Sequence, residues 1–212
     1  MGDKIFLIHG FNKEASDMYP LERCLSQMGY DCITLSFQLR YHPFDGAAEV
    51  LSKLLKDKVM SGEKVYLIGH STGGIVIRKV LSDLQCAEKV ARAVLIATPN
   101  QGSGLAGTAH IIRPFTSIYK TLLSITPTFI KQYSFVTSNV EIGAIAGDHA
   151  GLLLGKMLRQ RNDGRVETSS AWMPGLKDFI ILPYHHKRIH HQPETARLIH
   201  RFLQTGSFNQ HI

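Results

Sequence analysis

The sequence predicts an α/β fold: an open, doubly wound parallel sheet with helices on both faces. Two observations carry this reading. Short runs that are apolar on both sides recur along the 212 residues, as parallel strands covered by helices require. Between them lie windows with apolar residues at helical spacing, so the chain alternates strand and helix from its first residues.

Taken in order, the strand runs are "KIFLIH" (4–9), "DCITLSF" (31–37), "KVYLIGH" (64–70), "ARAVLIATP" (91–99), "VEIGAIAG" (140–147) and "DFIIL" (178–182). The first helical window, "SDMYPLERCLSQMG" (16–29), ends on a glycine, a common helix stop. "GAAEVLSKLLKDKVM" (46–60) and "GGIVIRKVLSDLQC" (73–86) follow. "QPETARLIHRFLQTG" (192–206) is a final helix, with proline near its start and glycine at its end. Each strand–helix–strand unit is expected to be right-handed. Residues 103–138 break the rhythm. Prolines at 114 and 127 and many Ile, Leu, Phe and Tyr predict two or three short helices inserted there. They would form a lid, the wall of an apolar pocket, or ordinary core. Residues 149–177 read mostly as loop, with "RNDGR" as a turn signal.

The length favours one domain over residues 1–212. A hydrophobic content of 44% against 19% charged residues sets a globular fold as the default. The net charge of +7 suits a mildly basic solvated surface, the steering of anionic ligands, or peripheral contact with an acidic lipid surface. Nucleic acid is not an expected partner, because no recognition motif or basic tract with interleaved aromatics is present. Cys24, Cys32 and Cys86 are odd in number and lack C-x-x-C pairing, so neither a disulfide framework nor a zinc knuckle is expected. Cys24 and Cys86 lie in apolar, helix-like contexts and read as buried small hydrophobes. No apolar run reaches membrane-spanning length, and "MGDKIFLIHG" enters a strand without a signal peptide. A cytoplasmic location is therefore expected. A processed N-terminus would suit a secreted or periplasmic one.

The sharpest motif is "GHSTGG", Gly69 to Gly74, a G-x-S-x-G with Ser71 at its centre. It follows a predicted strand and opens a predicted helix, which is the setting a nucleophile elbow needs. The turn puts the serine hydroxyl outside the sheet, and the helix N-terminus faces developing negative charge. A phosphate loop is the rival for a glycine-rich turn, but neither G-x-x-x-x-G-K-[ST] nor G-x-G-x-x-G occurs. The end of the first strand, "FLIHGFN", supplies the complementary feature. An acyl-transfer intermediate carries an oxyanion that two main-chain N–H groups can hold. Thr72, after the serine, and Phe11, after Gly10, are the expected donors. Gly10 lets the loop approach the substrate. His9 reads as a loop brace, and His70 as a packing residue beside the substrate.

These features, with "ATPNQGS" (97–103) and "NDGRVETSSAWMPGLKDFIILPYHH" (162–186), resemble the α/β-hydrolase superfamily, most nearly its small bacterial lipase- and esterase-like members. The resemblance spans about residues 4 to 206 and is weakest over 103–138. It implies a compact fold of about six parallel strands in the order 2-1-3-4-5-6. It also implies a Ser-His-Asp carboxylic ester hydrolase with no cofactor, acting on a small-molecule or lipid ester. Acyl transfer, thioester cleavage or lipid-anchor deacylation would use the same residues. A non-catalytic binding module is a further reading. The oligomeric state stays open.

In this chain order the acid follows the penultimate strand and the histidine follows the last. By position Asp148 and Asp163 compete, as do His185 and His186. The resemblance selects Asp163, from its N-D-G-x-V turn, and His186, the fifth residue of L-P-x-x-H. Asp178 begins a strand and should lie at the opposite edge of the sheet. "PNQGSG" places Asn100 and Gln101 where they would line an acyl pocket. The run "LPYHHKRIHH" invites a metal reading, since His186 and His190 are four apart. Adjacent cations and the lack of a neighbouring carboxylate or cysteine oppose it, so no metal is expected. His190 and His191 then read as loop residues on a positive rim.

Overall fold

The computed structural model describes residues 3–39, 44–60, 62–102, 130, 139–151, 158 and 160–209. Six strands form one sheet: β1 (Lys4–Ile8), β2 (Asp31–Leu35), β3 (Val65–His70), β4 (Val90–Ile96), β5 (Glu141–Gly147) and β6 (Asp178–Leu182). All adjacent pairs are parallel, in the order β2-β1-β3-β4-β5-β6. This is the expected order. The chain winds outward from β1 to β2, then returns and winds the other way from β3. That reversal opens a crevice beyond the carboxyl ends of β1 and β3, where such sheets place their sites.

The helices are α1 (Tyr19–Gln27), α2 (Phe44–Lys58), α3 (Thr72–Leu81), α4 (Leu84–Ala87), α5 (Thr168–Ala171) and α6 (Pro193–Thr205). Alternate residues of each strand face opposite layers. Phe6, Ile8, Leu67 and Leu95 pack with Leu51 and Leu55 of α2 and Val76 and Val80 of α3. Ile5, Leu7, Ile68 and Val94 pack with Leu21 and Leu25 of α1 and Ile199, Phe202 and Leu203 of α6. Each fully buried aliphatic or aromatic side chain contributes roughly 1.5–3 kcal/mol. The two layers thus fix the sheet edge that carries the loops. Among the described residues no helix is long and apolar enough to cross a membrane.

Local differences from the sequence reading have physical causes. The window 16–29 opens with a 3-10 turn, Ala15–Met18, before α1. The window 73–86 is two helices, because Asp83 stops the first and accepts a hydrogen bond from Gln85 N to cap the second. Helix α2 begins at Phe44, whose buried ring joins the core ahead of the predicted start. Residues 149–177 hold the short α5 within their loop. The helices expected over 103–138 lie outside the described residues, except Ile130, which is buried in the layer of α2 and α3. Cys86 is buried, whereas Cys24 and Cys32 are only half-buried. Burial pushes the Cys32 thiol up to about 11.

Candidate active site

Ser71 sits between β3 and α3 with φ 54° and ψ −122°. A non-glycine residue here stores on the order of 1–3 kcal/mol of strain, held by the surrounding structure. The turn is pinned by Ser71 N–H donating to Ile96 O at 2.8 Å and Gly74 N–H donating to Ser71 O at 3.0 Å. Glycine at 73 is obligatory, since a Cβ there would lie 2.4 Å from the carbonyl oxygen of Ile8. A serine at a helix N-cap usually caps it with its hydroxyl. Ser71 makes no such bond, and its hydroxyl faces His186 instead.

Ser71 Oγ lies 3.0 Å from His186 Nε2, and His186 Nδ1 lies 2.8 Å from Asp163 Oδ2. All three residues are buried. The carboxylate requires a proton on Nδ1, so Nε2 presents a lone pair to the serine hydroxyl. Asp163 is aimed by its own turn. Its Oδ1 accepts from Arg165 N at 2.9 Å and Val166 N at 2.8 Å, and Gly164 closes the turn at φ 94°. His186 N–H also donates to Asp163 O at 2.9 Å. The arrangement can draw a proton from Ser71 and stabilise the resulting imidazolium.

The rival residues go elsewhere. Asp148 pairs with Arg161. His185 is half-buried and lies near His149. Asp178 accepts from Ser207 Oγ and Phe208 N, away from this edge. Gly10 faces the serine closely: a Cβ there would be 3.0 Å from Ser71 Cβ and 3.3 Å from His70 Nδ1. His9 is a brace. Its Nε2 accepts from Phe37 N–H at 2.9 Å, so its Nδ1–H donates to Gly10 O at 2.8 Å. Burial holds its pKa below the usual histidine value. Phe11 follows Gly10 in this loop, and Thr72 opens α3, where main-chain N–H groups lack helical partners.

Asn100 and Gln101, expected to line an acyl pocket, both have hydrogen-bond partners within the protein. Asn100 is buried, donating to Ala171 O at 2.7 Å and receiving Arg78 Nη1 at its carbonyl and side-chain oxygens. Gln101 donates to Trp172 O at 3.0 Å. Their amides brace the loop after β4 against α5. Sequence reasoning missed Arg78, whose guanidinium burial pushes down to about 10. Its signal in the sequence is weak, since Arg78 is one of two adjacent cations, with Lys79, on a largely apolar helix.

The positive-rim reading of His190 is overturned. His190 is fully buried, and its Nε2 lies 3.1 Å from Asp17 Oδ2. His191 Nε2 donates to Asp17 O at 2.9 Å. A carboxylate does stand beside the run, brought there by the fold from far away in sequence. His70 lies flat on His190, with centroids 3.7 Å apart and planes inclined by 22°. Asp17, His70 and His190 each bring a possible ligand atom within 4.8 Å of the others. As arranged they form a hydrogen-bonded stack, and binding an ion would require the rings to turn from face-to-face contact.

A sequence profile of the alpha/beta hydrolase family matches residues 5–207, and the chain belongs to that family. The protein is thus of the hydrolase class. No curated protein matches the chain in sequence. Among solved structures it is similar to a Bacillus licheniformis lipase, BlEst2. In the propeptide form the TM-score is 0.85 at 21% identity, over 95% of this chain and 50% of that one. In the mature form the values are 0.78 and 20%, over 96% and 91%. A metagenomic carboxyl esterase gives 0.78 at 17% identity, over 97% and 76%. Legionella pneumophila phospholipase PlaB gives 0.70 at 15%, over 98% and 60%. The chain spans half the length of the propeptide form. At these identities the likeness is one of fold.

Proposed function

We propose that the protein hydrolyses carboxylic esters through an acyl-enzyme on Ser71. The observation that carries this reading is the continuous chain from Ser71 Oγ through the ring of His186 to Asp163, at 3.0 and 2.8 Å. His186 takes the serine proton as Oγ attacks the carbonyl carbon, then gives it to the leaving alcohol. Asp163 holds the productive tautomer and stabilises the imidazolium. The N–H groups of Phe11 and Thr72 are assigned to the oxyanion, where a single lost donor typically costs about 10²–10³ in kcat. Water, deprotonated by His186, releases the acid and restores the serine. The reaction needs no cofactor. Lipase, carboxyl esterase and phospholipase activities named for fold neighbours support an ester as the substrate class, with a small-molecule or lipid alcohol.

Turnover of p-nitrophenyl esters of increasing chain length, in wild type and Ser71→Ala, tests the proposal. Activity should vanish in the variant while its melting temperature stays close to wild type. Undiminished turnover in Ser71→Ala would sink it. Adding competing alcohols or amines separates hydrolysis from acyl transfer, since transfer would yield new esters or amides in place of free acid.

A further inference from the structure

Behind His186 lies a second set of ionisable groups, the buried His70 and His190 and the half-buried Asp17, that proton transfer does not use. Asp17, in the 3-10 turn after β1, accepts from His190 Nε2–H at 3.1 Å. His190 stacks on His70 at 3.7 Å. His70 Nε2–H in turn donates to the main-chain carbonyl of His186 at 3.0 Å. These contacts form a column from the N-terminal loop to the backbone of the base.

Tautomers follow from the acceptors. Both Nε2 atoms carry the proton, so both Nδ1 atoms are bare lone pairs, buried and, among the described residues, without hydrogen-bond partners. An unpaired buried acceptor costs roughly 1–3 kcal/mol, and such a cost calls for an explanation. Burial lowers the pKa of both rings, most strongly at His70. A neutral column also spares the His186 imidazolium a positive neighbour.

We propose that Asp17, His190 and His70 are positioning residues that fix the main chain of His186, and through it the distance from Nε2 to Ser71 Oγ. The proposal rests on the reading of Ser71, His186 and Asp163 as the reacting set. His186 lies in a loop, between β6 and a 3-10 turn at Ile189–His191. Its N–H is held by Asp163 and its carbonyl by His70. His70 adjoins Ser71 in the chain, so one peptide bond relates the nucleophile to the anchor of its base. The stack fixes the plane of His70. Asp17, itself held by Lys13 Nζ at 2.7 Å, fixes His190.

The test compares wild type with Asp17→Asn, His190→Ala, His70→Phe and His70→Gln. The readouts are the rate of Ser71 labelling by a fluorophosphonate, kcat and KM for a p-nitrophenyl ester, and melting temperature. His190→Ala and His70→Phe should lower kcat and labelling about tenfold or more, with KM within about twofold, since small misplacements of reacting groups cost this much. Asp17→Asn should fall about threefold or more. His70→Gln, whose amide N–H can reach the same carbonyl, should recover most of the rate. If His190→Ala does not fold, the nearly isosteric Asp17→Asn and the His70 pair decide. Losses confined to KM or melting temperature, or His70→Gln no better than His70→Phe, overturn the proposal. A wild type left unlabelled at Ser71 overturns the ester hydrolase reading and this proposal with it. A labelled wild type with unimpaired variants overturns this proposal alone.

Discussion

Asp163 shows how much one side chain depends on its immediate turn. Both carboxylate oxygens are committed, Oδ1 to two main-chain N–H groups and Oδ2 to His186. An amide at 163 can keep the shape but presents the wrong hydrogen-bonding pattern to Nδ1. Asp163→Asn should therefore lower kcat by roughly 10⁴, with KM little changed. Asp148→Asn serves as its control: the carboxylate pairs with Arg161, and kcat for a p-nitrophenyl ester should stay within about threefold of wild type. From position alone these two acids were not separable, nor were His185 and His186. What distinguishes them is the aim of a side chain, and only the resemblance of the N-D-G-x-V and L-P-x-x-H patterns selected the pair that the fold brings to Ser71. His190 was misread for a different reason. Nothing adjacent in the chain signals its burial, because its partner is 173 positions away.

At the scale of elements, the G-x-S-x-G turn was legible because its glycines answer a local steric demand. Gly73→Ala should force the first turn of α3 off the carbonyl of Ile8. A lowered melting temperature together with lost Ser71 labelling would show it, and an unchanged protein would refute the close approach. Strand identity was legible for a similar reason, since buried parallel strands are apolar on both faces, whereas the strand order came only from the resemblance to the α/β-hydrolase superfamily. Helix ends were less so. Asp83 breaks one amphipathic window in two by capping, and periodicity does not register a cap. Phe202 of helix α6 is fully buried and stacked on Phe208, with ring centroids 4.9 Å apart. Phe202→Ala should cost about 3–5 kcal/mol, measured by denaturant unfolding. A cost under about 1 kcal/mol would mean the layer repacks without it.

For the whole molecule, buried histidines set the response to acid. His9, His70 and His190 all have pKa values lowered from 6.5, chiefly by burial. Below that pH the unfolded chain binds protons that the folded chain refuses, so stability falls as pH falls. Asp17 lies well below the usual carboxylate range through its hydrogen bonds from His190, His191 and Lys13, which outweigh burial. Its contribution is complete above about 4 and is lost only on further acidification. The melting temperature should thus drop between pH 7.5 and 5, and His190→Gln should flatten that drop. A pH-independent melting temperature across this range would contradict the neutral assignment of the buried rings.

The tie between Asp17 and His190 has a consequence in time. Its partners are 173 residues apart, so almost the whole chain must be gathered before it can close. Long-range closures form slowly, because the entropy of the intervening loop is lost before any contact repays it. During refolding, the sheet and its helices should therefore regain their circular dichroism signal first. Reactivity of Ser71 towards a fluorophosphonate should return with the slowest phase, making a competent nucleophile a reporter of completed folding.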